Sequence, residues 1–142
     1  MAKAATAAGI ATGQCLCGKV TFEIDVPARW AWHDHSAASR RAHGATYATY
    51  VGSWKKRFRI ISGKTALTRY EDKATRTARS FCAHCGTPVM SETSGARDLV
   101  VIRVGTLDDP NAVAPKQNIW TDSAPTWACL DETLPGSPRQ PG

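Results

Sequence analysis

The sequence predicts a mainly β fold of short antiparallel strands, and three observations carry that expectation. Seven short runs rich in β-branched and aromatic residues alternate with Gly, Ser, Asp or Lys. A single stretch has helix-forming composition, and two close cysteine pairs sit where a small β domain needs its loops pinned. At 142 residues the chain is expected to form one domain with a real core.

The start, MAKAATAAGIATG, mixes one lysine with small apolar residues, and Thr6, Gly9 and Thr12 interrupt any continuous apolar segment. Residues 1–12 are therefore read as a flexible N-terminus rather than a signal peptide. In Lys19–Val26 (KVTFEIDV) apolar and polar residues alternate, so Val20, Phe22, Ile24 and Val26 fall on one face of a strand. ATYATYVG, RFRIIS, ALTRYED, TARSFC, PVMSE and DLVVIRVG follow as further strands, with a hairpin turn expected at Ser62-Gly63-Lys64. SAASRRAH is the helical stretch, with Ser36 as its N-cap. The proline- and glycine-rich end, LPGSPRQPG, places a flexible tail over residues 136–142 and leaves 13–135 as the domain.

Composition narrows the function classes. Hydrophobic residues make up 42% and charged residues 21%, an ordinary globular balance. No run approaches the roughly 20 apolar residues of a membrane span, and a cytoplasmic protein without a membrane partner is expected. The formal charge is +6. Four thiolates around one zinc ion would lower that to about +4. The one dense basic run, Lys55-Lys56-Arg57-Phe58-Arg59, reads as a solvated turn and strand face, with no nucleic-acid motif beside it.

Cys15 and Cys17 are one residue apart, and Cys82 and Cys85 are two apart with a glycine after them. Such knuckles let thiolates converge on one cation, and four of them close a tetrahedral sphere with no open position for chemistry. One structural Zn²⁺ on Cys15, Cys17, Cys82 and Cys85 is expected, with His84 beside the site and Cys129 an unpartnered thiol. Disulfides are the weaker reading, because nothing marks the chain as secreted.

GQCLCGKVTFE, RRAHGATYATYVG, FRIISGKTALTRYED, RSFCAHCGTPV, VGTLDDP and NIWTDSAPTWACLDETLP occur in the order seen in the glutathione-dependent formaldehyde-activating enzyme family, which includes centromere-protein-V-like proteins. The chain resembles that family from about Gly13 to Pro135. The resemblance implies an Mss4-like fold with a structural zinc, and carbon–sulfur lyase chemistry that joins formaldehyde to glutathione. Members with a second, catalytic zinc carry Cys-His-Cys-x-x-Cys-Arg-Arg at the position of this chain's Asp34-His35-Ser36-Ala37-Ala38-Ser39-Arg40-Arg41. Asp34, Ser36 and Ser39 thus stand where the family has its thiolates, and Asn118 stands for its histidine.

Serine hydroxyls stay protonated near neutral pH and bind zinc poorly, so a second metal is not expected. The favoured reading is a small-molecule lyase-type enzyme in which Asp34 and His35 act as base and acid and Arg40 stabilises developing charge. Ser36, Ser39, Arg41 and Asn118 would then hold a small polar substrate, a thiol or a carboxylate, between walls of Tyr47, Tyr50, Trp54 and Trp120. Two other readings stand beside it. His33, His35 and His43, with Asp34, would rebuild a catalytic metal site, or the domain would be a non-catalytic scaffold that binds a ligand or nucleic acid. The sequence sets no oligomeric state.

Overall fold

The computed structural model describes residues 8–140. Ten strands occur among them: β1 (Gly9–Gln14), β2 (Thr21–Val26), β3 (Trp30–Asp34), β4 (Ala48–Trp54), β5 (Phe58–Ser62), β6 (Leu67–Asp72), β7 (Thr77–Cys82), β8 (Pro88–Thr93), β9 (Leu99–Arg103) and β10 (Asn118–Ile119). One helix, α1 (Ala37–His43), joins β3 to β4. The mainly β expectation holds.

The strands form a three-stranded sheet, β1-β2-β5, and a seven-stranded sheet, β10-β3-β4-β9-β8-β7-β6. All pairings are antiparallel except β10 with β3. The two sheets enclose the core. Val20, Phe22 and Ile24 face Val51, Val89, Val100 and Ile102 there, all essentially without solvent exposure. The period-two face read in KVTFEIDV is the one that the fold buries.

The expected termini are shorter than the sequence suggested. Residues 9–12, assigned to a flexible segment, belong to β1, because the Phe22 ring lies directly over Gly13 and draws this small-residue strand against β2. A Cβ at Gly13 would come within 2.3 Å of that ring, so only glycine permits the approach. At the other end, the Ser137 amide donates to the Asn118 carbonyl and the Thr121 amide to Ser137, which lays residues 136–140 along β10. The hairpin expected at Ser62-Gly63-Lys64 does not form. Gly63, in the left-handed region at φ 79°, turns the chain out of β5 and into β6 of the other sheet.

The basic run behaves as a paired surface. Lys55 bonds Glu92 at 2.6 Å, and Arg59 reaches Asp25 at 2.7 Å and Glu23 at 3.3 Å. These carboxylates offset much of the local positive charge.

Candidate metal knuckles and an adjoining cleft

Cys15 and Cys17 lie in the turn from β1 to β2, while Cys82 ends β7 and Cys85 lies in the turn from β7 to β8. In the first turn the Gly18 amide donates to the Cys15 carbonyl; in the second the Gly86 amide donates to the Cys82 carbonyl. Both glycines have φ of 81°, a conformation that side chains resist. The Thr87 hydroxyl accepts the Leu16 amide and bonds the Cys85 sulfur, tying one knuckle to the other. Cys15 is buried and also accepts the Val20 amide at 3.3 Å.

The four sulfurs lie within 4.8 Å of one another, with Cys15–Cys17 at 3.6 Å and Cys17–Cys82 at 3.8 Å. A tetrahedral ion with bonds of about 2.3 Å to sulfur has sulfur–sulfur edges of about 3.8 Å, so the donor set fits a metal such as zinc. A disulfide would need about 2.05 Å. Hydrogen bonds from the Thr87 hydroxyl and amide push the Cys85 thiol down to about 5, while desolvation and the other three sulfurs push Cys17 up to about 11. His84 is exposed and outside the cluster, and Cys129 is exposed.

The second group of predicted residues divides according to strand geometry. β3 alternates, so Trp30, Trp32 and Asp34 point to the outer face of the large sheet, and Ala31, His33 and His35 to the inner one. Asp34 and His35 therefore face opposite ways, and the acid–base pair expected from their adjacency does not assemble. His35 is fully buried, its Nε2 on the Asn118 side-chain oxygen at 2.9 Å and its Nδ1 without a partner. Tyr47 lies beside it, with ring centroids 4.9 Å apart, and Asn118 also donates to the Asp131 carbonyl. His35, Tyr47 and Asn118 form an internal cluster rather than a substrate wall.

Ser36 caps α1 as expected, accepting the Ser39 amide, while its own amide donates to Asp34 Oδ1 at 2.9 Å. That turn directs Asp34, Ser36 and Ser39 into one cleft of about 590 Å³, lined also by Trp30, Trp32, Tyr50 and Trp120. The Ser39 hydroxyl meets the Tyr50 hydroxyl at 2.8 Å, and both side chains are buried. The tryptophans at 30 and 32 stack at 3.9 Å. Their place in the cleft was missed in the sequence, although the period-two spacing with Asp34 would have found it.

Three other predicted residues do not line the Asp34 cleft. The Arg40 guanidinium donates from Nη1 to the carbonyls of His35 and Ser123, tying α1 to the segment after β10. Arg41 is exposed and lines a neighbouring cleft. Trp54 ends β4 beyond the cleft, and its ring carries the Arg29 guanidinium at 4.5 Å.

The histidines do not converge on a metal position. Among the described residues, the four cysteines are the one set of three or more His, Cys, Asp or Glu side chains with converging ligand atoms. His33 bonds the Thr49 hydroxyl, and His43 donates from Nδ1 to the Ser39 carbonyl, which leaves its Nε2 to accept from Arg103. Burial and the nearby Arg103 push His43 down to about 4. Because that folded-state value is lowered from 6.5, the contribution to stability is complete above about 6.5 and is lost as pH falls through about 4. With partial exposure allowed for, the loss is on the order of 1 kcal/mol. Urea unfolding at pH 7 and pH 4 is expected to register it, and His43→Gln to reduce the difference; an equal pH slope in that variant would contradict the assignment.

Among curated proteins, none matches this chain. A crystal structure of a Rhodobacter sphaeroides protein, a structural genomics target, superposes with a TM-score of 0.59 at 22% identity, covering 69% of this chain and 88% of that one. The family described as glutathione-dependent formaldehyde-activating enzyme matches residues 10–123, taking in β1, the knuckles, α1 and the cleft-lining residues up to Trp120. It begins slightly before the region read from sequence motifs and stops before WACLDETLP. With four-fifths of its length so matched, the chain belongs to the glutathione-dependent formaldehyde-activating enzyme family.

Proposed function

We propose that the chain is a lyase-type small-molecule enzyme whose fold is held by one structural zinc and whose addition or elimination step uses Asp34 in place of a second metal. One observation carries this reading. Asp34, Ser36 and Ser39, which the sequence resemblance sets against the family's catalytic thiolates, line a single aromatic-walled cleft. The donor set there, one carboxylate and two hydroxyls, suits proton transfer better than zinc binding.

Zinc held by Cys15, Cys17, Cys82 and Cys85 would supply folding energy and, with four thiolates, would leave no coordination position for substrate. The cleft residues do the rest. Asp34, its Oδ1 fixed by the Ser36 amide, takes a proton from a substrate carbon, hydroxyl or thiol. In the Ser39–Tyr50 pair one hydroxyl donates to the other, and the second donates its own proton to oxygen on the other side of the reacting bond. Trp30, Trp32 and Trp120 exclude water from a small polar substrate.

Zinc and iron content per chain, measured on protein purified without chelator, tests the metal part; one tightly held zinc is expected. A second metal per chain, lost together with activity on mild chelation, would overturn the reading. Proton NMR of mixtures with formaldehyde plus glutathione, and with small hydroxy acids, then identifies the substrate. Tight binding across the panel with no turnover would favour a scaffold instead.

A further inference from the structure

Arg103 is 5% exposed and sits in the outer face of the large sheet. Its Nε donates to His43 at 3.1 Å, and its Nη1 to the Ser91 hydroxyl at 2.8 Å and the Val101 carbonyl at 3.1 Å. Its carbon centre lies 4.7 Å over the Tyr50 ring. Every one of these partners is neutral. His43 can accept from Arg103 only as the neutral imidazole, because its Nδ1 proton is committed to Ser39. Among the ion pairs of the described residues none includes Arg103, Arg79 or Arg41.

A buried guanidinium without a counter-charge is costly, and proteins normally pair it. Here the space for a partner is present. Arg103 lines a cleft of about 650 Å³ between α1 and the β6–β7 strands, together with Arg41, Arg79, His43 and Tyr70. Nη2 makes no hydrogen bond among the described residues, and Arg103 is part of the cleft lining. Asp72, in the same wall, accepts from the Ala74 and Thr75 amides and the Thr75 hydroxyl; it keeps its charge and acts on Arg79 through space, but forms no ion pair with Arg79 or Arg103. Asp34 acts on Arg103 through space only, while Arg79 repels it.

We propose that this cleft is an anion subsite in which Arg103 and Arg79 receive the carboxylate or phosphate group of a small organic molecule. The two guanidiniums suit either planar or tetrahedral oxyanions, and Arg41 adds charge at the rim. This cleft and the Asp34 cleft share Ala38, Thr75 and Arg79 as lining residues. That continuity makes the anion the acidic end of the molecule handled at Asp34, a step that rests on the function proposed above. The substrate class is then a small organic acid or phosphate ester.

Titration calorimetry with succinate and with inorganic phosphate, on zinc-loaded protein, tests the subsite and tells the two anion types apart. Saturable binding of one or both is expected, weakened about tenfold or more in Arg79→Gln. Arg103→Met is expected to abolish it; His43 Nε2 and the Ser91 hydroxyl lose their donor there, so circular dichroism is used to confirm that the variant is folded. No binding up to about 10 mM, or binding unaltered in Arg79→Gln, would overturn the subsite. Asp34→Asn separates the two claims. Anion binding retained while turnover persists would remove the proposed reaction and leave the subsite standing.

Discussion

Cys82→Ser is expected to leave no cooperatively folded protein. Cys82 is fully buried, and its sulfur belongs to the cluster that joins the β1–β2 turn of one sheet to the β7–β8 turn of the other. A structural zinc contributes an apparent 10–16 kcal/mol, roughly, to folding. A domain of this size has a net stability of about 5–15 kcal/mol, so a metal held by these four sulfurs would contribute a comparable amount, lost with the ligand. Serine cannot substitute, because its hydroxyl stays protonated near neutral pH. Circular dichroism during heating, paired with zinc analysis, checks this. A metal-free Cys82→Ser protein unfolding at the wild-type Tm would contradict a structural role. Cys129→Ser is the control, because Cys129 is exposed and outside the cluster, and its Tm is expected to match the parent.

The features legible in the sequence were those set by local chemistry. Alternation in KVTFEIDV predicted the buried face at Phe22, Ile24 and Val26, because strand period alone decides it. Ser36 predicted the start of α1 through its capping oxygen, and Gly44, left-handed at φ 59°, ends the helix. The knuckles were legible because cysteine spacing and the following glycine directly encode a metal-binding turn.

What escaped was set by distant partners. β1 has weak strand propensity and exists because β2 offers it an aromatic ring and a ladder of hydrogen bonds. β10 is only two residues long and forms by lying parallel to β3, more than eighty positions earlier in the chain. The histidine-rich segment misled for a related reason. Residues adjacent in a strand point apart, so a motif read as one cluster supplies Asp34 to a cleft and His35 to the interior. Arg103 gave no signal as the last residue of an apolar strand, yet it is buried at the wall of the second cleft.

Asp34→Asn is expected to abolish turnover while leaving the fold intact, and the two halves of that statement have separate causes. Asparagine keeps the side-chain oxygen that accepts the Ser36 amide, so the turn into α1 is preserved and Tm should not change. What it loses is a carboxylate able to take up a proton. General acid–base groups contribute about 10²–10⁴ in rate, so kcat on the substrate found by screening should fall by about that factor, with KM nearly constant. Ser39→Ala should cost less, because the Tyr50 hydroxyl it bonds remains in the wall of the same cleft. A purely positional role for Asp34 predicts a different pattern, with KM raised, kcat retained and an unchanged pH–rate profile. Wild-type kcat in Asp34→Asn would return the chemistry to a metal or to another residue of the cleft. A fall in kcat together with loss of the acidic limb of the profile assigns the proton transfer to this carboxylate.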